Sequence, residues 1–212
     1  VIELRGTSHI AASDLDDIHA LVAEVDPDVV ALELDQRRLQ VLLSGQQDEA
    51  SVRNPFLFMI KTIQDLLGEQ TGAAPGSDML EAFAAAAEAG IDVALIDQDI
   101  TVTLRKLKGT PLREKLKFVA FMIGGVLALP FGGFELDSVP AQSFIHRMLL
   151  QFKVSFPQMH DVLIAQRNEQ MAERLRELEA RYGTVLAFVG AGHIEGLAAE
   201  LRARPAANYV QQ

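Results

Sequence analysis

Four short apolar runs rich in β-branched residues constrain the fold of this chain most strongly. They cover residues 2–5, 29–34, 92–96 and 185–189. Apolar and polar residues alternate little within them, as expected for strands that helices cover on both faces. Helical patterns separate the runs, and the sequence therefore predicts an α/β fold with a small, largely parallel central sheet flanked by helices.

Helix boundary signals occur between these predicted strands. Ser77 is predicted to cap a helix over residues 78–89, which Gly90 ends. Thr110 followed by Pro111 predicts the start of a further helix, because proline is well tolerated in a first helical turn. Both signals support strands connected by helices.

The second half of the chain is dominated by helical patterns. Residues 156–182 have the periodicity of one long amphipathic helix. The region from about 100 to 182 is therefore predicted to be a mostly helical insertion, which could cover the sheet edge as a lid. No hydrophilic linker marks a boundary, so a single domain over residues 1–212 is the economical interpretation.

Composition excludes several classes of protein. Cysteine is absent, which rules out disulfides, zinc–thiolate sites and thiol nucleophiles. A formal net charge of −10 argues against a general affinity for nucleic acid or for anionic membrane surfaces. The known sequence signatures of serine hydrolases, nucleotide-binding loops and the common zinc proteases are also missing.

One apolar stretch, residues 118–134, leaves its role open. It is about one helical turn short of the roughly 20 residues that cross a membrane, and glycines and a proline interrupt it. A buried helix followed by a turn is one interpretation. A surface that touches a membrane or a partner subunit is the other, and it includes a homodimer through the apolar helices.

The pattern Gly-x-x-His occurs at both ends of the chain, each time after a predicted strand. Gly6 precedes His9 in the first copy, and Gly190 precedes His193 in the second. A glycine at a strand end allows a sharp turn, and the histidine three residues later then projects from the loop. In a parallel sheet both imidazoles would emerge at the carboxyl edge, where open α/β folds place their sites.

Carboxylates follow the other two predicted strands. Glu33 comes at the end of the second strand, and Asp97 directly follows the third. Two imidazoles and at least one carboxylate in one cleft suit a divalent first-row metal, which lowers the pKa of a bound water. Glu33 is predicted to be a ligand or general base, or else a buried ion pair with Arg37 or Arg38. Asp97 is predicted to be a ligand or a helix cap.

Four ordered segments resemble the TraB/PrgY family, which is related to the Tiki proteases and to the wider EreA/ChaN-like group. The segments are Gly6-Thr7-Ser8-His9, then Pro27-Asp28-x-Val30-x-Leu32-Glu33-Leu34-Asp35-x-x-Arg38, then Leu95-Ile96-Asp97-x-Asp99-Ile100-x-x-Thr103-Leu104, and Gly190-x-Gly192-His193-x-x-Gly196. The resemblance covers essentially the whole chain. It implies an EreA/ChaN-like α/β fold with its site at the sheet edge.

The resemblance also implies roles for individual residues. Tiki members are metal-dependent proteases, and their metal ligands correspond here to His9, Glu33 and His193, with manganese, cobalt or zinc as the expected ion. An Arg-Asn pair typical of the family corresponds to Arg167 and Asn168 and is expected to orient substrate and ligands. Further side chains are expected to support ligands or substrate, namely Ser8, Arg38 and Asp97.

The expected function is that of a metal-dependent, peptidase-like hydrolase acting on peptides or small proteins, as in pheromone shutdown. The alternative is a non-catalytic module that sequesters a peptide or another ligand. Many relatives carry membrane helices after this domain, so the parent protein is expected to be membrane-associated, with a cytoplasmic protein as the alternative. Two departures from the family pattern, Gln98 and Gln166, concern substrate contacts rather than proposed metal ligands.

Overall fold

The computed structural model describes residues 1–7, 14–44, 76–128 and 142–203. Within these ranges, four parallel strands form one sheet in the order β1-β4-β2-β3. The strands are β1 (Ile2–Thr7), β2 (Val29–Leu32), β3 (Asp92–Leu95) and β4 (Val185–Gly190). The predicted α/β class and the parallel sheet are confirmed.

The register of the sheet brings all four carboxyl ends to one edge. Thr7 of β1 lies beside Gly190 of β4, and Leu32 of β2 lies between Phe188 of β4 and Leu95 of β3. The chain segments that follow the strands therefore begin along one line. This edge is where the sequence predicts the site.

Helices cover both faces of the sheet and connect its strands. In chain order the described helices are α1 (Asp14–Val25), α2 (Gln36–Ser44), α3 (Ser77–Ala89), α4 (Ile100–Gly109), α5 (Leu112–Ala128), α6 (Gln142–Ser155), α7 (Pro157–His160), α8 (Gln166–Tyr182) and α9 (Ile194–Ala203).

Strand β4 shows how the core is divided between these two layers. Its alternate residues Leu186 and Phe188 pack with α1 and α3, in a cluster to which Ala82 of α3 contributes. The residues between them, such as Ala187, pack on the other face with α8 and α9, where Leu175 is fully buried. Because both faces are covered, the strand is buried at every position, as its uninterrupted apolar sequence predicts.

The predicted helix over residues 156–182 is present, with one change of geometry. A π-helical segment, Asp161–Ala165, connects α7 to α8 without leaving the right-handed helical region at either junction. Such segments insert an extra residue per turn and occur frequently at functional sites. Here the segment ends two residues before Arg167.

The helices predicted at Ser77 and at Thr110-Pro111 are both present, but the residues at their starts differ slightly from the prediction. The residue that caps α3 is Gly76, in a left-handed conformation with φ of 85°, and Ser77 is already the first helical residue. Thr110 ends α4, where its hydroxyl donates to the carbonyl oxygen of Leu107 at 2.7 Å. Helix α5 then begins at Leu112, directly after Pro111.

The apolar stretch over residues 118–134 was predicted to be either a buried helix or an exposed contact surface, and its described part has features of both. Phe118 is buried against Phe152 and Phe156, whereas the side chain of Phe121 is 62% exposed. Residues 129–134 lie outside the described part of the chain. Among the described helices, none combines the length and the apolar character that crossing a bilayer requires.

The central strand supplies the first test of this fold. Leu186→Ala in β4 removes a side chain that is 0% exposed and is expected to lower the free energy of unfolding by about 2–5 kcal/mol. Leu43→Ala is the matched control, since Leu43 is 55% exposed and should change stability by about 0.5 kcal/mol or less. Urea unfolding followed by circular dichroism measures both, and equal losses would contradict the assigned core.

Candidate functional site

A buried polar network lies at the carboxyl edge of the sheet. Glu33 follows β2, Asp97 follows β3 and His193 follows β4, and each is at most 5% exposed. Arg167 and Asn168 reach them from the first turn of α8. Of the sequence-predicted site residues, these five are brought together. His9 and Ser8 lie outside the described residues.

Glu33 is held by the sheet on one side and by the helical insertion on the other. Its Oε2 accepts a hydrogen bond of 2.7 Å from the backbone N–H of Gly190. Its Oε1 accepts one of 2.5 Å from Nη2 of Arg167. The predicted ion pair of Glu33 is therefore present, but its partner is Arg167. Arg37 and Arg38 belong to α2, where their backbone N–H groups bind the capping carboxylate of Asp35.

Asp97 receives the same guanidinium in a two-point contact. Nε of Arg167 donates to Oδ1 of Asp97 at 2.9 Å, and Nη2 donates to Oδ2 at 2.7 Å. Arg38 adds a longer contact of 3.4 Å to Oδ2. The planar guanidinium matches the carboxylate fork, and this geometry is the strongest form of the pair. Asp97 is thus a partner of Arg167 and not a helix cap; the cap of α4 is Asp99.

Burial and charge act in opposite directions on Arg167. Burial by itself would lower the pKa of its guanidinium, but the carboxylates of Glu33 and Asp97 outweigh it and raise the pKa above the usual value. The arginine is therefore permanently charged. Its cation compensates two carboxylates that would otherwise be costly to bury.

The hydrogen bonds of His193 determine which ring nitrogen carries its proton. Nη1 of Arg167 lies 3.1 Å from Nε2, and an arginine N–H can only donate. Nε2 is therefore an acceptor, and the proton of the neutral ring is on Nδ1, 2.6 Å from Oδ1 of Asn168. The lone pair of Nε2 faces the network, with Oε1 of Glu33 at 3.4 Å.

Asn168 has this position because Gly196 leaves room for it. A β-carbon at Gly196, in the first turn of α9, would lie 2.2 Å from Nδ2 of Asn168. The glycine of the last family-like segment is thus explained by close packing of α9 against α8. Asn168 itself is 4% exposed.

The π-helical segment directs Arg167 towards the strand ends. Nη1 of Arg167 donates to the carbonyl oxygen of Leu163 at 3.2 Å, inside that segment. The π-helical segment and the guanidinium are thus in direct contact. Sequence reasoning missed this feature.

Arg174 is a second residue that sequence reasoning missed. Its Nη1 donates to the carbonyl oxygens of Leu95 at 3.2 Å and of Asp97 at 2.6 Å. It therefore fixes the backbone at the end of β3, two helical turns from Arg167 along α8. Its position seven residues after Arg167 is the only signal in the sequence, since two helical turns bring both side chains to one face.

The two departures from the family pattern make structural contacts. Nε2 of Gln98 donates to the hydroxyl of Thr103 at 2.7 Å, and Nε2 of Gln166 donates to Asp161 at 2.6 Å. Neither amide touches Glu33 or His193 in a contact that the structure describes. The network therefore forms with glutamine at both positions.

In the described part of the chain, no three His, Asp or Glu side chains are grouped as a metal site. The predicted set includes His9, which falls outside that part. Thr7, at the end of β1, has a buried hydroxyl without a hydrogen-bond partner among the described residues. The hydroxyl of Thr7 is thus a further polar group at the carboxyl end of β1, beside the network.

The fold and this network define a class: an α/β protein whose buried histidine, carboxylates and arginine meet at the carboxyl edge of a parallel sheet. Comparison with known proteins gives the family. The sequence model of the TraB/PrgY/gumN family matches residues 2–206, and the chain belongs to this family.

Relatives occur in archaea and in mammals. The chain is 29% identical over 215 residues to protein MJ1365 of Methanocaldococcus jannaschii, an alignment that covers 95% of this chain and 53% of that protein. It is 23% identical over 228 residues to a TraB domain-containing protein of Homo sapiens, with 91% and 60% covered, and 22% identical to its Bos taurus counterpart. The chain thus spans little more than half the length of these relatives.

Packing at Gly196 can be tested directly. Gly196→Ala is expected to push the Asn168 amide away from His193, because the added carbon has no room. The ¹⁵N chemical shifts of the imidazole should then lose the pattern of a ring protonated at Nδ1. Gly192→Ala is the matched control, since a β-carbon there meets nothing within 4 Å. An unchanged tautomer in Gly196→Ala would contradict the role of Asn168.

Replacement of Arg167 tests whether its positive charge is needed to bury the carboxylates of Glu33 and Asp97. Arg167→Met leaves two buried carboxylates without compensation and is expected to lower the free energy of unfolding by about 3–5 kcal/mol. Addition of Asp97→Asn should restore part of the loss, because one of the stranded charges is removed.

Arg38→Met is the control for this experiment. Arg38 is 39% exposed and its contact with Asp97 is 3.4 Å long, so the loss should be about 1 kcal/mol or less. Urea unfolding at neutral pH measures all three variants. A loss in Arg167→Met no larger than in Arg38→Met would show that the carboxylates do not depend on Arg167.

Proposed function

We propose that this protein is a metal-dependent hydrolase that acts on peptides or small proteins. One observation carries the proposal. Nε2 of His193 and Oε1 of Glu33 lie 3.4 Å apart among buried polar groups, and the proton of the imidazole is held on its far side by Asn168. A histidine fixed in this tautomer presents a lone pair, as metal-bound histidines do.

The donor chemistry fits a divalent first-row ion. Imidazole nitrogen and carboxylate oxygen are the ligands that manganese, cobalt and zinc share in proteins. Glu33 and His193 would hold the ion together with His9, which the family resemblance adds. When bound there, such an ion would supply a polarised carbonyl and a water of lowered pKa.

Arg167 competes for the same two atoms. Its Nη2 is 2.5 Å from Oε1 of Glu33, and its Nη1 is 3.1 Å from Nε2 of His193. The proposal therefore requires these contacts to loosen while the two-point contact with Asp97 keeps the guanidinium nearby. From that position an arginine would orient the carbonyl or carboxylate of a peptide.

The remaining residues have supporting roles in this proposal. In the alternative arrangement the imidazoles and Asp97 would hold the ion, and Oε1 of Glu33, the oxygen that does not bind Gly190, would accept a proton from the attacking water. Asn168 positions His193, and Asp97 positions Arg167. The Ser8 and Arg38 side chains remain proposed contacts to ligands or substrate.

Activity of the parent protein is a further part of the proposal. The relatives are longer than this chain, and the domain would therefore act as one part of a longer protein. We propose that this protein is attached to a membrane and acts as in pheromone shutdown. The family resemblance supports this arrangement.

A second candidate function rests on a different observation. The guanidinium of Arg167 compensates the charges of both Glu33 and Asp97. A network closed in this way also suits a module that binds a peptide or another ligand and does not cleave it. Such a module would protect a peptide from added protease, whereas the hydrolase would produce fragments from it.

Metal content distinguishes the two functions. After loading with manganese or cobalt, the protein is expected to hold near-stoichiometric metal, and His9→Ala, His193→Ala and Glu33→Gln should each lose it. The same variants should stop fragment release from a mixed peptide pool, as measured by mass spectrometry. Retention of the fold is checked by circular dichroism.

The control for metal loss is His19→Ala. His19 pairs with Glu81 at 2.8 Å between α1 and α3 and contacts no residue of the network. This variant should keep both metal and activity. Normal metal content in His193→Ala would overturn the metal site, and peptide protection by a metal-free parent would establish the binding module.

A further inference from the structure

Positive charge is concentrated in one region of this acidic protein. Helices α4, α5 and α6 contain eight Lys and Arg residues but one acidic residue, Glu114, which gives them a formal charge of +7, whereas the whole chain carries −10. The basic residues are Arg105, Lys106, Lys108, Arg113, Lys115, Lys117, Arg147 and Lys153. The rest of the molecule is correspondingly more acidic than its average suggests.

Among the described residues, these positive charges form no close ion pair with a carboxylate. In the ion pairs between described residues, none of the eight side chains takes part. Glu114 accepts a hydrogen bond from the backbone N–H of Met159 at 2.8 Å and is directed inwards. Among the described residues, the three helices therefore carry an excess of positive charge.

Large apolar side chains are exposed among these charges. On α5, Leu112 and Leu116 lie one turn apart and are 68% and 61% exposed. On α6, Leu150 and Val154 are likewise one turn apart and are 49% and 79% exposed. Single exposed apolar residues are ordinary, but rows of them on neighbouring helices mark an interaction surface.

Aromatic packing joins α5 to α6 at their basic, apolar parts. The rings of Phe118 and Phe152 are 6.0 Å apart, and that of Phe121 lies 5.9 Å from Phe156. Lys117 crosses the same junction, donating to the carbonyl oxygen of Ser155 at 3.1 Å. The contact between Phe118 and Phe152 therefore fixes α5 and α6 against each other.

We propose that α4, α5 and α6 form a docking surface for a lipid bilayer that contains anionic lipids. Apolar side chains would enter the boundary between headgroups and acyl chains, while Lys and Arg would contact anionic headgroups. No helix need cross the bilayer for this mode of binding. The surface is distinct from the network around Arg167, and the proposal does not depend on the proposed hydrolase activity.

Charge favours a bilayer over a second copy of the chain. A symmetric dimer through this surface would place basic residues of one copy against the same basic residues of the other. An anionic bilayer compensates the charge and covers the apolar rows at the same time. The net charge of −10 does not by itself oppose this, because charges more than about 10 Å from the bilayer are largely screened.

Vesicle co-sedimentation tests the proposal. The chain is expected to sediment with vesicles of phosphatidylcholine and phosphatidylglycerol and to remain in solution with phosphatidylcholine alone. Arg113→Gln with Arg147→Gln should weaken partitioning by about fivefold for each charge removed. Leu112→Ser with Leu116→Ser should weaken it by a similar or larger factor, and added salt should weaken binding of the parent.

Matched controls separate this surface from general charge effects. Arg181→Gln with Arg202→Gln removes two exposed charges from α8 and α9, and Leu43→Ser removes an exposed leucine from α2. Both should bind as the parent does. The proposal is overturned if the parent stays in solution with anionic vesicles, or if the controls lose as much binding as the surface variants. It is equally overturned if light scattering shows a dimer that Leu112→Ser with Leu116→Ser dissociates.

Discussion

The guanidinium of Arg167 is the contact on which the site depends, because it joins three parts of the chain that are far apart in sequence. It bridges Glu33 after β2 and Asp97 after β3, and it belongs to the helical insertion. Burial of this triad does not by itself make the fold more stable than an apolar core would. What it provides is position: the carboxylates cannot be left unpaired, so the first turn of α8 must lie over the sheet edge. The arrangement of His193 and Asn168 follows from that constraint.

The same contact decides between the two candidate functions. Glu33 and His193 offer the atoms that a divalent ion would use, and the guanidinium now contacts both. A cation that binds there must therefore repel or displace a fixed positive charge in a buried site, where screening is weak. The two-point contact with Asp97 makes such an exchange feasible, since Arg167 can release Glu33 and still keep one carboxylate. If Arg167 always keeps its contacts with Glu33 and His193, no metal ion can take its place, and the site would bind a ligand without cleaving it.

Sequence alone predicted the strands and the polar residues at their ends, because a fully buried strand needs an uninterrupted apolar run and ends where polar residues begin. It gave Glu33 the wrong ion-pair partner. Arg37 and Arg38 were close in sequence, whereas Arg167 is 134 residues away, and a lone arginine on a helix carries no signal of its distant contact. The π-helical segment was also invisible, since five residues with a wider turn barely disturb the periodicity of a helix of more than twenty. The tautomer of His193 needed coordinates, because it depends on one donor, Arg167, and one acceptor, Asn168, both from α8.

The net charge of the whole chain does not describe the charge of its individual surfaces. An average of −10 suggests a protein that anionic surfaces repel, yet three adjacent helices carry the opposite sign. Electrostatic binding depends on the charges within a Debye length of the surface, and so segregation matters more than the sum. The basic helices are also mechanically connected to the candidate site. His146 of α6 pairs with Glu195 of α9, two residues after His193, and α4 packs beside the π-helical segment that directs Arg167. A bilayer bound to these helices would therefore hold the segments that support both sides of the network, and the sheet edge would keep a fixed orientation towards that bilayer.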